Sequence, residues 1–504
     1  MTLIWKMNIK ERRFVLPMVA IFFISCLVYL GSNNLILYAQ VVPSDCIEYD
    51  PETTTIKVMC GTFNLSQLDK TLANSNLLSS NKKEWLLSAN LEIGENATIF
   101  INSTDTNWLK MKTNSNEHYG IRSYGNLIID STKISSWDPK TNDYVQQVED
   151  GSIKRPFLVM VEDAPGQMNI TNSEISYLGW YESHEQGIGY YSGDGSKMDN
   201  NDIHDLYYGF YSNGVGNLAI TNNHFHDTFK YGLDPHTGSY NLLIKNNRVH
   251  DTHGLGIVCS YDCYNVIIED NTVYNNLKAG IMFSRNMTNS IARNNTIHDE
   301  STAISVSDSS TNKIYGNKIS DSKIGVALKV LRPLEYSTSG NVIYENTISN
   351  SDMGISIDPE ANGNTVHSNT ILNSARAGIF ISDFTTKDNS IYGNLFSNNN
   401  DEISTKSLKA VIPVGLRKLA PNWCKNDISS SGFVEGLQYL VQRDIILEPE
   451  NQSPETADPI IPEWVKNNTC WWSKKLISDR DFISGLQFLF SKGIIVLPTS
   501  VDED

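Results

Sequence analysis

The chain has 504 residues, with 40 Lys and Arg against 57 Asp and Glu and a formal charge of −17. That balance excludes the basic face on which a nucleic-acid binder depends. Hydrophobic residues at 40% and aromatics at 10% are enough for a core and exclude wholesale disorder.

Lys6 to Arg13 form a basic cluster ahead of an apolar run from Phe14 to Gly31 and a shorter one from Leu35 to Tyr38. A basic flank before an apolar segment directs the downstream chain out of the cytoplasm. Residues 1–40 are therefore read as a signal peptide or a membrane anchor. The rest is expected outside the cell, at its surface or in a periplasm-like space. Of the 7 cysteines, Cys26 lies in the apolar segment. The even set that remains suits an oxidising compartment, and proximity pairs Cys46 with Cys60, Cys259 with Cys263 and Cys424 with Cys470. No paired CxxC motifs point to structural zinc. Sequons at Asn64, Asn96 and Asn286 fit an exported glycoprotein.

Asparagine is over-represented: 53 in all, 31 of them between Asn200 and Asn400. One phrase repeats around Asn223, Asn247, Asn271, Asn295, Asn317, Asn346, Asn369 and Asn394, as in ITNNHF, IKNNRV and IYENTI. The successive spacings are 24, 24, 24, 22, 29, 23 and 25. Eight or nine residues after each Asn comes a glycine phrase such as YGLDP (Gly232), LGIVC (Gly256) or AGIMF (Gly280), with Ala303 taking the glycine place once. Short β-branched strands at this period cannot bury a face singly and must stack. The Leu framework of leucine-rich repeats is missing, which leaves an all-β parallel β-helix with coils about 4.8 Å apart. The asparagines are expected at turns, tolerating the left-handed conformation and bonding their equivalents on the next coil. The solenoid is expected over residues 85–410, with residues 41–84 capping its open first coil.

Residues 411–504 change character. IPEWVKNN…GLQFLF echoes APNWCKND…GLQYLV, with Phe433 and Phe482, or Gly436 and Gly485, at an offset of 49. Two small helical, Trp-bearing modules are expected, joined by an acidic linker. On this reading the first lacks about eight residues, including the equivalents of Trp471 and Trp472. The tryptophans are read as core more than as sugar or partner contacts.

Chemistry is expected on one coil, Lys230-Tyr231-Gly232-Leu233-Asp234-Pro235-His236. Strand alternation from an inward Leu233 sends Asp234 and His236 out on the same exposed face. Aligning coils on their glycines stacks His236 with Ser260 and Ser284, and Tyr231 with Tyr208 below and Leu255 above. Aromatics on one side and cations such as Lys230 and Lys278 alongside suit a groove for an anionic chain.

The stretch from Tyr207 to Ser260, with YGFY one coil before YGLDPH, resembles the catalytic coils of mannuronan C5-epimerases, especially the periplasmic type, a family of right-handed parallel β-helices. The similarity extends more weakly from Phe157 to Leu328, with catalytic coils over about 200–330. It implies reversible removal of the C5 proton of a β-1,4-linked uronate within a polysaccharide. His236 is then the base, Tyr231 the opposite-face acid and Asp234 an orienting group. Tyr208, Lys230, Lys278, Arg285 and Tyr261 are implied as substrate contacts. Tyr261 stands where the periplasmic enzymes carry the Arg that neutralises the substrate carboxylate. Lys278 aligns with the Arg of the calcium-dependent secreted type, and Arg285 lies one coil beyond Tyr261. Calcium-binding nonapeptide repeats are absent, so no cofactor is implied. The same site could act as a polysaccharide lyase.

Histidine suggests a different class of function. Of ten, seven lie between His204 and His298, and His-Asp recurs at 204/205, 226/227, 250/251 and 298/299. Stacked turn residues produce that period, so these are read as scaffold and no metal ligand is assigned. The competing reading is a non-catalytic surface protein binding glycan, or binding copper or zinc through His and carboxylate on adjacent coils.

Overall fold

The computed structural model describes residues 46–114, 117–146, 153–333, 335–382, 386, 388–405, 414–429 and 463–477, with residues 432, 433, 437, 482, 485, 486 and 489. The expected signal or anchor segment and Cys26 lie outside them. No helix among the described residues is long and apolar enough to cross a membrane.

Each repeat forms one coil of three short strands. Tyr231–His236, Leu243–Lys245 and Arg248–His250 make one coil, and each pairs in parallel with its equivalent in the next: Leu255–Ser260, Ile267–Glu269 and Thr272–Tyr274. About 13 such turns make an all-β solenoid. Residues such as Ile244, Ile268, Val249 and Val273 point inward and are fully shielded from water. At the N-terminal end Ile47–Asp50 runs antiparallel to Thr55–Asn64, and the helix Leu65–Leu72 comes next, with Asn64 accepting the Gln67 N–H at its start. The last described strand, Ile403–Thr405, pairs with Ala377–Ile381.

The asparagines do form a ladder, but they are not the turn residues. The left-handed position is the residue before each one: Asn222 (φ 57°), Asn246 (φ 54°) and Asp270 (φ 57°). The ladder residues are buried. Asn247 donates from Nδ2 to Asn271 Oδ1 at 3.1 Å and to Ile220 O at 2.9 Å. Its own Oδ1 accepts from the backbone N and Nδ2 of Asn223, at 2.9 and 3.0 Å. The motif thus serves two needs at adjacent positions, a backbone at positive φ and a buried amide that satisfies three coils.

Two of the expected disulfides form, Cys46–Cys60 and Cys424–Cys470. Cys259–Cys263 does not; both are free and buried. Cys259 belongs to a strand whose residues are all buried, whereas Cys263 lies past a turn at Tyr261 and Asp262, both at positive φ. There its thiol donates to Ser260 O at 3.2 Å.

The C-terminal helices Val414–Cys424 and Glu463–Ser473 also correct the alignment of the modules. Trp423 stacks on Phe433 and Trp472 on Phe482, each at 4.1 Å. Trp423 is therefore the equivalent of Trp472 at the same offset as the phenylalanines, and no gap is needed. Both are core, while Trp464 and Trp471 are about half exposed.

Candidate active site

The glycine column decides which side chains share the outer face. A Cβ on Gly232 would come within 2.5 Å of Gly256 O and 2.6 Å of Val249 Cγ1. At this coil only glycine clears the Gly256 carbonyl. Strict alternation through that point would send Tyr231 inward with Leu233. Instead Tyr231 packs against Leu255, Val258, Ala279 and Met282, a cluster separate from the inward-facing Leu233 and Ile257. The residue before each glycine and the second one after it thus share a face. In this way Tyr208 and Tyr211, then Tyr231 and Asp234, come together on successive coils, with Tyr208 opposite Tyr231 and Tyr211 opposite Asp234.

A continuous row of rings runs along the solenoid axis. Tyr191 lies 5.7 Å from Tyr211, Tyr211 5.9 Å from His236, and His236 4.8 Å from Tyr261. The Arg285 guanidinium closes it, 4.4 Å above the Tyr261 ring. Lys230 Nζ sits 5.6 Å from the Tyr231 ring, which itself meets Tyr208 at 5.5 Å.

Asp234 is not the exposed carboxylate expected from alternation. It does not face the core, yet it is only 4% exposed, between Tyr211 and, by register, Val258. Its Oδ1 accepts no hydrogen bond from a described residue. Burial pushes its pKa well above the carboxylate range, against the opposing pull of Arg285 and Lys230. His236 is half-buried, and burial with the Arg285 charge pushes its imidazole down to about 4. Its Nδ1 lies 2.6 Å from Thr237 Oγ1. Burial also raises the Tyr208 and Tyr211 phenols, which stay protonated. The site therefore sets an imidazole and a carboxyl, each pushed toward its uncharged form, beside the positive charges of Arg285 and Lys230.

Ionising Asp234 opposes folding. Its folded pKa lies above the unfolded one, so stability is full below the ordinary carboxylate range and falls as pH rises toward the folded value. Asp234→Asn is expected to raise the thermal midpoint at pH 7 and to flatten that fall, as monitored by circular dichroism between acid and neutral pH.

Residues 159–319 and 292–407 match the family described as right handed beta helix region. The chain carries a right-handed β-helix. Among solved structures, this β-helix is similar to a point mutant of the periplasmic alginate epimerase AlgG, with 20% identity and a TM-score of 0.60 over 68% of this chain and 85% of the other. AlgG without that change gives 20% identity and a TM-score of 0.53 over 70% and 85%. The A-module of the Azotobacter vinelandii mannuronan C-5 epimerase AlgE6 gives 15% identity and 0.46 over 63% and 88%. At this identity the two AlgG likenesses show the fold alone. No curated protein sequence matches the chain.

The β-helix thus brings His236, Tyr231, Asp234, Tyr208, Tyr261, Arg285 and Lys230 together. Lys278 is exposed on the bend before Ala279–Ser284, and the charges acting on Asp234 are those of Arg285 and Lys230. Tyr211 and Tyr191 were missed. Tyr211 was available from the coil alignment that stacked Tyr208 with Tyr231, because the same register sets it opposite Asp234.

Proposed function

We propose that this protein is an exported carbohydrate-active enzyme that epimerises C5 of β-1,4-linked uronate residues within an anionic polysaccharide. The observation that carries the reading is the neutral imidazole of His236 held in one row with the Arg285 guanidinium. Fold alone does not choose a chemistry. The name of AlgG identifies it as an alginate epimerase, and this agrees with the residues. The two disulfides fit an oxidising, extracytoplasmic space.

The proton at C5 is weakly acidic because it lies α to a carboxylate, and its removal leaves an enediolate. Arg285, with Lys230, stabilises that charge. Asp234, pushed toward its protonated form by burial, donates a hydrogen bond to a substrate carboxylate oxygen. With its proton on Nδ1 donated to Thr237, His236 presents a lone pair on Nε2 and takes the C5 proton. The Tyr231 hydroxyl returns a proton to the opposite face, leaving imidazolium and phenolate that exchange with solvent to restore the resting state. The ring row gives sugar faces a flat surface along several coils.

The test is incubation with polymannuronate in D2O, monitored by proton NMR and ultraviolet absorbance. Deuterium at C5 with new guluronate signals is the expected result. Absorbance from unsaturated chain ends, produced when the enediolate expels the 4-linked sugar, makes the protein a lyase instead. The absence of both signals overturns the enzymatic reading.

A further inference from the structure

A second cluster stands on the strand column that carries the His-Asp repeats, apart from the strand that bears His236. His204, His226, His250, Tyr274 and His298 stack there as a ladder: His204 on His226 at 5.0 Å, His226 on His250 at 5.5 Å, His250 on Tyr274 at 4.6 Å and Tyr274 on His298 at 4.8 Å. His224 does not belong to that ladder. It shares the short strand His224–His226 and reaches the same carboxylate as His226. Asp202 Oδ1 lies 3.1 Å from His224 Nδ1 and 3.2 Å from His226 Nε2, and the three candidate ligand atoms all fall within 4.8 Å of one another.

We propose that Asp202, His224 and His226 bind one divalent transition ion of the zinc and copper class, with the remaining coordination open to water. Bonds of about 2.0–2.1 Å to imidazole and carboxylate in a tetrahedral set place ligand atoms roughly 3.3 Å apart, which is the spacing found around Asp202 Oδ1. Two imidazoles and one carboxylate select this class over magnesium or calcium, which take oxygen. The outer partners are those of a metal site. His226 Nδ1 is 2.6 Å from Asp227 Oδ2, a carboxylate that fixes the ring with Nε2 free to ligate. His224 Nε2 is 2.7 Å from His250 Nε2, and His250 Nδ1 is 2.6 Å from Asp251 Oδ2, so His224 is steadied through a second ring. His204, by contrast, is engaged at both nitrogens by Glu174 and Asp205. The side chains of Asp202, His224 and His226 are 50%, 36% and 19% exposed, which leaves an ion in contact with solvent.

The experiment uses the full, tag-free chain stripped with EDTA and dialysed against ZnCl2, CuSO4 or CaCl2, with bound metal counted by mass spectrometry and affinity taken from calorimetry. One equivalent of Zn²⁺ is expected, Cu²⁺ binding tighter and Ca²⁺ not competing. Asp202→Asn and His226→Ala should each weaken Zn²⁺ by at least about tenfold, and Asp227→Asn by about 10- to 100-fold. His367→Ala, further along the solenoid between Tyr344 and Tyr392, should leave binding unchanged. Should His226→Ala not fold, Asp202→Asn, a surface residue, decides alone. No saturable uptake near one equivalent, or uptake equal in Asp202→Asn and the parent, overturns the proposal. Epimerase activity plays no part in the readout.

Discussion

His236→Ala is expected to eliminate deuterium exchange at C5, lowering kcat/KM on a uronate polymer by at least about 10²-fold, the lower end of what a positioned general base contributes. The fold should survive, because His236 is on the outer face and the ladder and inward residues of its coil are untouched. The pH profile carries the sharper signature. With the imidazole at about 4, the neutral base persists through mildly acid solution, so the acid limb of kcat/KM should lie near pH 4. An ordinary histidine would place it near 6.5. Arg285→Gln should move that limb upward but only part of the way, because burial is the larger cause and the guanidinium the smaller. The same depressed pKa sets a stability trend. His236 contributes fully above its unfolded pKa, and the contribution is lost as pH falls toward about 4. His236→Ala should therefore flatten acid unfolding over that window. Exchange retained in His236→Ala would remove this residue from the chemistry.

The solenoid was legible in the sequence because each of its determinants is local and repeats: a buried amide at one offset, a glycine at another and β-branched residues between. The face shared by Asp234 and His236 was legible for the same reason. What could not be read depends on neighbouring coils. Tyr231 reaches the outer face because the chain changes phase at a glycine wedged against Gly256 O, and alternation assumes no such change. The burial of Asp234 comes from Tyr211 on the coil before and Val258 on the coil after. Cys259 and Cys263, close in sequence, are kept apart by two consecutive left-handed residues whose φ no spacing rule supplies. In the C-terminal modules, aligning Trp464 with Trp423 required a gap. Ring packing instead selects Trp472, ten residues before its phenylalanine just as Trp423 is.

Asn247→Ala should destabilise the solenoid by about 4 kcal/mol, from four lost hydrogen bonds at roughly 1 kcal/mol each. The variant strips the buried Asn223 backbone N–H of its acceptor, removes one of the two bonds made by Asn223 Nδ2, and takes a donor from both Ile220 O and Asn271 Oδ1. No water reaches Asn247, which is 1% exposed, to replace them. Asn246→Gly, one residue earlier, should cost only a few tenths of a kcal/mol. Asn246 is exposed, its φ of 54° suits glycine, and it gives up one surface bond to Asn222 Oδ1 at 3.3 Å. Chemical unfolding of the two variants side by side checks the assignment. Because each coil gains its stability largely from its neighbours, the loss at Asn247 should also raise hydrogen exchange in the strands of the adjoining coils, Ala219–Thr221 and Ile267–Glu269. Equal destabilisation by the two changes would mean that the inner amide has no special place in the ladder and that the repeat is held by its turns instead.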